Sequence, residues 1–132
     1  MELVVIMDET VGKNAGRKLY EDGRAAMGSK DYAAAVEKLT ASVDMSPHFK
    51  TYELRAECHL ELKNFPQAIK YAAAAAGIGN NQFRARLVLA KALIEYGEVQ
   101  WAVDKLNEAL RMNPDYKAAC DMLATLRENG VG

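Results

Sequence analysis

The stretch that decides the fold is RARLVLAKALIEYGEVQWAVDKLNEALRMNPDY, residues 84–116. Its apolar residues recur three or four positions apart on both sides of a break at Gly97-Glu98, which is the spacing of two amphipathic helices joined by a tight turn. Asn113-Pro114 ends the second helix, because proline cannot continue a helix. The stretch therefore predicts one helix-turn-helix unit.

The same unit occurs twice more upstream, at a period of about 34 residues. Three sets of small residues and one set of bulky residues keep this step along the chain. They are Ala35, Ala68 and Ala102; Gly23, Ala56 and Ala90; Ser42, Ala75 and Ala109; and the bulky Tyr32, Phe65 and Val99. Small residues let two antiparallel helices approach closely, and a bulky residue at the turn fills the wedge between them. The chain is therefore predicted to stack three helical pairs.

The breaks in the apolar pattern divide the chain into six paired helices and a seventh that covers the end of the third unit as a cap. We expect the helices at about 16–29 and 32–45, 49–62 and 66–77, 83–96 and 99–112, and 116–128. The domain is expected to span 16–128, with repeats at about 16–48, 49–82 and 83–116, a leader at 1–15 and a tail at 129–132.

These residues resemble the tetratricopeptide repeat (TPR) family, over 16–128. The third unit matches best, and the second keeps the pattern in YELRAECHLELKNFPQAI, although Gly77 to Asn81 replaces the usual closing proline. The first departs, with Leu19 and Ala26 where aromatic residues are common. The resemblance implies an all-α solenoid, a right-handed superhelix of three helix-turn-helix repeats with a seventh capping helix. Its first helices would line a concave groove that binds a peptide or a helix of another protein.

The family's groove-lining positions can be carried over to this chain. They fall on Arg17, Tyr20 and Arg24, on Lys50, Glu53 and Glu57, and on Arg84, Leu87 and Lys91. Met27, Leu60 and Ile94 share one equivalent position of the repeat and are interpreted as groove floor or core. Within each unit these residues lie three or four apart, so they share one helix face. Arg17, Lys50 and Arg84 hold equivalent places and would form a basic stripe for an acidic peptide, a terminal carboxylate or a phosphate. The alternative is solvated charge, with Lys50 and Glu53 pairing with one another.

One subgroup of the resembled family binds the acidic C-termini of heat-shock chaperones through a clamp of lysines, asparagines and an arginine. Arg84 matches the place of one clamp cation. Tyr20 stands in place of the first lysine, Arg24 and Leu54 in place of the asparagines, and Val88 in place of the arginine. A clamp without its bidentate donors loses its geometry, so binding of chaperone tails is disfavoured.

Composition excludes several broad classes of partner and compartment. Lys and Arg number 17 against 18 Asp and Glu, so no overall basic field attracts nucleic acid or a membrane surface. The apolar run from Leu3 to Met7 is too short for a signal peptide or a spanning helix, and we expect a cytoplasmic protein. Cys58 and Cys120 lack disulfide or zinc spacing and are interpreted as small buried hydrophobes.

The raw material for catalysis is sparse, so we predict no enzyme, no cofactor and no metal. His48 and His59 are expected to pack in the structure, as are Tyr96 and Trp101. Glu57 and Glu61 share a helix face but lack a companion acid, so they are interpreted as solvated charge.

Two functions remain open, and both have a protein as the partner. One is an adaptor that holds a segment of the partner in the groove; the other is a co-chaperone or secretion-type chaperone that shields an apolar client. The second would use Met27, Leu60, Leu87 and Ile94. The apolar N-terminal run could cap the first unit, lie in the groove, mediate self-association or form a disordered leader.

Overall fold

The computed structural model describes the backbone of residues 2–78 and 82–130 and the side chains of residues 13–78 and 82–130. This part of the chain contains seven α-helices and no strand. They are α1 Glu2–Gly28, α2 Tyr32–Met45, α3 Phe49–Glu61, α4 Phe65–Gly77, α5 Phe83–Tyr96, α6 Val99–Met112 and α7 Lys117–Glu128. The predicted all-α solenoid of paired helices with a seventh helix at its end is confirmed.

Each pair packs as an antiparallel hairpin, and the hairpins stack in chain order. α1 packs on α2, α3 on α4 and α5 on α6, while α2 contacts α3, α4 contacts α5 and α6 contacts α7. The first helices also touch one another, α1 with α3 and α3 with α5. One face of the solenoid is therefore lined by α1, α3 and α5, as the resemblance implies for the concave groove.

The three turns inside the repeats have the same geometry. Lys30, Lys63 and Gly97 all have positive φ values, of 60°, 60° and 97°. In each turn the amide of this residue donates to the carbonyl three positions earlier, and the next amide donates to the carbonyl five positions earlier. This is the usual way to end a helix with a left-handed residue, a position that glycine occupies without strain.

The core consists of two clusters of unequal size. The larger one runs from α3 to α7 and contains Leu93 and Leu106, which are almost completely buried. The smaller one comprises Ala35, Leu39 and Cys58. Gly23 of α1 lies against this smaller cluster, because a Cβ atom there would be 2.8 Å from the Leu39 side chain.

The largest difference from the expected map is at the start of α1. The helix begins at Glu2 rather than at about residue 16, because nothing upstream of the first repeat breaks it. The other six helices lie within one residue of the expected bounds. The expected break from Gly77 to Asn81 includes residues 79–81, which lie outside the described residues. The role of residues 1–15 stays a prediction, since the side chains of residues 1–12 are not described.

Some single-residue interpretations are corrected. Cys120 is exposed on α7, whereas Cys58 is buried, and burial raises the pKa of its thiol to about 12. His48 does not pack in the interior; it is the exposed N-cap of α3, and its Nδ1 accepts a hydrogen bond from the Lys50 amide at 3.2 Å. Tyr96 and Trp101 are 56% and 52% exposed, so they face solvent rather than the core.

Among the residues described, no helix combines the length and apolar character that crossing a bilayer requires.

Candidate peptide-binding groove

A central cavity of about 430 Å³ lies between α1, α3, α5 and the start of α7. Eight of the predicted groove residues line it: Tyr20, Arg24, Lys50, Glu53, Glu57, Arg84, Leu87 and Lys91. They come together because positions three or four apart on a helix share a face, and the three first helices present that face to the same space. The structure therefore gathers most of the predicted residues around one concave surface.

The remaining predicted residues line three adjoining cavities. Arg17 shares a cavity of about 410 Å³ with Lys50. Met27 and Leu60 share one of about 200 Å³ with Lys91, and Leu60 and Ile94 share another of about 400 Å³ that also includes Lys91. Because Lys50 and Lys91 also line the central cavity, the groove continues into all three.

The basic stripe is continuous across the three repeats but unequal in strength. Lys50 lines one cavity with Arg17 and another with Arg84. Its Nζ lies 3.3 Å from Oε1 of Glu53, a carboxylate only 3% exposed. Arg17 and Arg84 are exposed, and no ion pair joins either of them to another described side chain. Lys50 is thus partly neutralised, while Arg17 and Arg84 are available to a ligand.

Glu57 introduces a second carboxylate into the central cavity. Burial raises the pKa of this carboxyl, and the negative charge of Glu53 raises it further. Lys50, Lys91 and Arg84 act in the opposite direction, because their positive charges favour the carboxylate. The cavity therefore combines a basic majority with two acidic groups on α3.

The apolar residues of the predicted site present little surface to the groove. Leu87 is 7% exposed and belongs to the larger core cluster, and Ile94 packs against the same cluster. Met27, Leu60 and Ile94 are partly buried. Although Leu87 lines the central cavity, its main contacts are with the core rather than with the open space.

Sequence reasoning missed two groove residues of the capping region. Tyr116, which precedes α7, lines the central cavity and packs edge-on against Phe83 with ring centroids 4.9 Å apart. Met122 lines the cavity that contains Leu60 and Ile94. The signal was the repeat step itself, since α7 begins at Lys117, 34 residues after α5 begins at Phe83. α7 therefore occupies the position that the first helix of a fourth repeat would have. It contributes to the same face as α1, α3 and α5.

The described side chains offer no evident catalytic arrangement. No group of three His, Cys, Asp or Glu residues among them could hold a metal ion. The raised pKa of the Cys58 thiol keeps it protonated at neutral pH, and thiols in this form are poor nucleophiles. Burial and the charge of Arg55 lower the pKa of His59, whose ring stacks on Tyr71 at 5.6 Å. Both residues serve packing.

Comparison with known proteins identifies the fold. A tetratricopeptide repeat family model matches residues 20–83. The TPR domain of Arabidopsis OM64 superposes with a TM-score of 0.86 at 26% identity, over 89% of this chain and 98% of that domain. The chain is therefore similar to the tetratricopeptide repeat family in sequence and in fold.

Curated TPR proteins are similar to this chain over part of their length. "Small glutamine-rich tetratricopeptide repeat-containing protein 2" of Saccharomyces cerevisiae is 29% identical over 116 residues, which are 87% of this chain and 34% of that protein. "Heat shock protein STI1" of the same yeast is 29% identical over 101 residues, covering 75% of this chain and 17% of that protein. The chain thus spans about a third or less of these relatives.

A further solved TPR domain agrees in fold. The first TPR domain of Spaghetti (RPAP3), bound to the HSP90 peptide SRMEEVD, has a TM-score of 0.84 at 19% identity, over 89% of this chain and 94% of that one. At this level of identity the agreement concerns the fold alone.

Proposed function

We propose that this chain is a non-enzymatic protein-interaction adaptor whose concave groove binds an extended acidic segment of a partner protein. The observation that carries the proposal is the charge of the central cavity. Four cations line it against two carboxylates, and one of those carboxylates, Glu53, already pairs with Lys50. An acidic segment would complete the charge balance, with an affinity on the order of micromolar for a groove of this kind.

The relatives support an adaptor of the co-chaperone kind. Two curated relatives are a small glutamine-rich TPR protein and a heat shock protein. Among the structures of similar fold, one TPR domain of RPAP3 is bound to the HSP90 peptide SRMEEVD and another is in complex with the HSP70 peptide SGPTIEEVD. Both peptides are acidic, which is the ligand chemistry that we propose here.

Recognition of acidic side chains, rather than of a terminal carboxylate, fits the residues in the groove. The side chains at the five clamp positions named from the sequence all line the central cavity. Two of them, Leu54 and Val88, carry no hydrogen-bond donor in their side chains. A carboxylate needs paired donors for specific recognition, so this groove should favour charge over a defined chain end.

A chaperone that shields an apolar client is the second candidate. It is favoured by the cavity of about 400 Å³ whose apolar lining is Leu60, Phe65, Ile94 and Met122. It is weakened by Leu87, which is too deeply buried to add apolar surface. The two functions differ in salt dependence, because charge pairing is screened by salt and apolar burial is not.

A peptide array at about 0.05 M and about 0.5 M salt tests the proposal, with the Debye length falling about threefold between them. The array holds acidic, apolar and helical peptides. We expect acidic peptides to bind at low salt and to be released at high salt. The triple charge reversal Arg17→Glu, Lys50→Glu and Arg84→Glu should lower their affinity by roughly a hundredfold, because three attractive pairs become repulsive.

The matched control reverses three exposed lysines outside the groove, Lys18→Glu, Lys38→Glu and Lys117→Glu. It changes the net charge by the same amount and should lower the affinity by less than about threefold through the long-range field alone. Equal losses in the two triples would contradict a site in the groove, and salt-indifferent binding of apolar peptides would favour the chaperone.

The terminal carboxylate is tested with the peptide SRMEEVD as a free acid and as a C-terminal amide. We expect any binding of the two forms to agree within about twofold, because Leu54 and Val88, at two of the five clamp positions, carry no side-chain donor for the chain end. A loss of more than about tenfold on amidation would contradict this part of the proposal.

A further inference from the structure

A second basic cavity lies beside the groove, where α1 meets the junction of α2 and α3. Its volume is about 410 Å³. The residues that line it are Lys13, Gly16, Arg17, Tyr20, Ser42, Ser46, His48, Lys50 and Thr51. At Gly16 the helix α1 approaches the end of α2 closely, because a Cβ atom on Gly16 would lie 3.1 Å from Cβ of Ser46.

This cavity is positively charged, and only the charge of Lys50 is partly offset, by Glu53 at 3.3 Å. Lys13, Arg17 and Lys50 line it, and none of the described residues that line it is acidic. The other cavities described above contain at least one glutamate beside their lysines and arginines. Lys13 and Arg17 are also four residues apart on α1, where two like charges repel each other. An anion is the group that would relieve this repulsion.

The groups that could hold an anion are side chains rather than helix amides. The amides of Lys50 and Thr51 already donate to His48, to its Nδ1 and its carbonyl oxygen respectively. The hydroxyl of Ser42 donates to the carbonyl of Gly16 at 2.7 Å. Lys13 and Arg17 are exposed, and neither forms an ion pair with another side chain that the structure describes. The Lys50 ammonium has donors beyond the one that faces Glu53.

We infer that this cavity binds the phosphoryl group of a phosphorylated serine or threonine in the partner segment that occupies the groove. The inference rests on the proposed function and adds a modification to it. A phosphoryl group carries about −1.5 to −2 charges at pH 7 and three acceptor oxygens, which suits three cations better than a single carboxylate does. Tyr20 and Lys50 line both this cavity and the central one, so a single extended segment could reach both.

Titration with O-phosphoserine and with inorganic phosphate, followed by NMR, tests the cavity without a peptide. We expect saturable shifts at Lys13, Arg17 and Ser46 at pH 7.5 that weaken below about pH 6, where phosphate loses its second charge. The double variant Lys13→Gln and Arg17→Gln should remove these shifts. The control Lys18→Gln and Lys117→Gln removes two exposed lysines that pair with Asp22 and Asp121 instead, and should keep them.

A peptide experiment separates this inference from the proposed function. A serine is placed at each position of an acidic heptapeptide in turn, and each peptide is measured with that serine unmodified and phosphorylated. At one position we expect phosphorylation to tighten binding by about tenfold, in the range expected for new charge-assisted bonds. Lys13→Gln with Arg17→Gln should bring this ratio close to one, whereas Arg84→Gln should weaken both forms and keep the ratio.

The outcomes have different meanings for the two proposals. If acidic peptides bind but no position gains from phosphorylation, the phosphoryl site is wrong and the groove proposal stands. If no acidic peptide binds, the groove proposal fails, and the NMR titration still decides whether the cavity takes a phosphoryl group. Shifts that persist in the Lys13 and Arg17 double variant would overturn the inference.

Discussion

The first and third repeats share a fold but differ in how deeply their first helices are buried. α5 buries Ala85, Leu87, Val88, Leu89, Ala90, Ala92 and Leu93. In the part of α1 whose side chains are described, only Gly16 and Gly23 are buried. α5 packs against α3, α4 and α6, whereas α1 packs mainly against α2. Burial therefore depends on the neighbours that a helix has, and the described cations of α1 remain accessible to a ligand.

The largest expected effect on stability comes from truncating one buried leucine in each of the two core clusters. Leu93→Ala should lower the free energy of unfolding by about 4 kcal/mol, and Leu39→Ala by about 2 kcal/mol, within the range for buried leucines. Both side chains are nearly inaccessible, but Leu39 belongs to a cluster with three buried members among the described residues, which can collapse around the cavity more easily. Urea unfolding measures both values. A Leu39→Ala cost equal to that of Leu93→Ala would show that the first repeat is as tightly coupled as the third.

The turns within the repeats should respond in opposite directions. Lys30→Gly and Lys63→Gly should each stabilise the protein by about 1 kcal/mol, and Gly97→Lys should destabilise it by a similar amount. All three positions have positive φ, which strains a lysine and suits a glycine. Thermal unfolding gives the sign. Ser29→Gly, one position before the left-handed residue, is the control and should lower the melting temperature slightly. If Lys63→Gly destabilised the protein, the inference that Lys63 is strained by its positive φ would be wrong.

Two glycines of α1 provide a smaller test of the helix contact in the first repeat. Gly28→Ala should stabilise the protein by a few tenths of a kcal/mol through helix propensity, because its Cβ would meet nothing within 4 Å. Gly23→Ala should lose this gain or reverse it, since its Cβ would lie 2.8 Å from Leu39 Cγ. Chemical denaturation of both variants decides the matter. Equal gains would mean that Leu39 moves aside without cost.

The smallest expected effect on stability concerns the acidic residue of the central cavity. The raised pKa of Glu57 means that the folded chain binds a proton more tightly than the unfolded chain. Its contribution is therefore most favourable at low pH, and stability falls as pH rises from the unfolded pKa through the folded one. Glu57→Gln should raise the melting temperature at pH 7, leave it nearly unchanged at pH 4, and tighten acidic peptides a few-fold. A lower melting temperature at pH 7 would show that pairing with Lys50, Lys91 and Arg84 outweighs burial.

The sequence was sufficient to locate six helices within one residue because their ends carry physical signals. Pro66 lies in the first turn of α4, and Gly97 supplies the left-handed residue after α5. The start of α1 has no such signal. The repeat period places the first unit at about residue 16, but a period does not end a helix, and α1 continues upstream to Glu2.

The sequence was sufficient to name residues that line the groove, but not to predict how much of each side chain the groove exposes. Helical periodicity placed Glu53 and Leu87 on the helix faces that line the central cavity, and it could not show that neighbouring helices would bury them to 3% and 7% exposure. Tyr116 and Met122 were missed because α7 was regarded only as a cap. It also occupies the position of the first helix of a fourth repeat, so its residues line the groove. The exposure of a side chain depends on how the helices pack against one another. The spacing of residues within one helix carries no information about that packing.

The central claim is that the concave face formed by α1, α3 and α5 holds an acidic partner segment. The most direct measurement is NMR mapping of an acidic peptide taken from the array onto the isotope-labelled chain. The account predicts shifts concentrated at Tyr20, Arg84 and Tyr116, all of which line the central cavity. Shifts concentrated instead around the exposed Trp101 and Tyr96, with the central cavity unchanged, would contradict it.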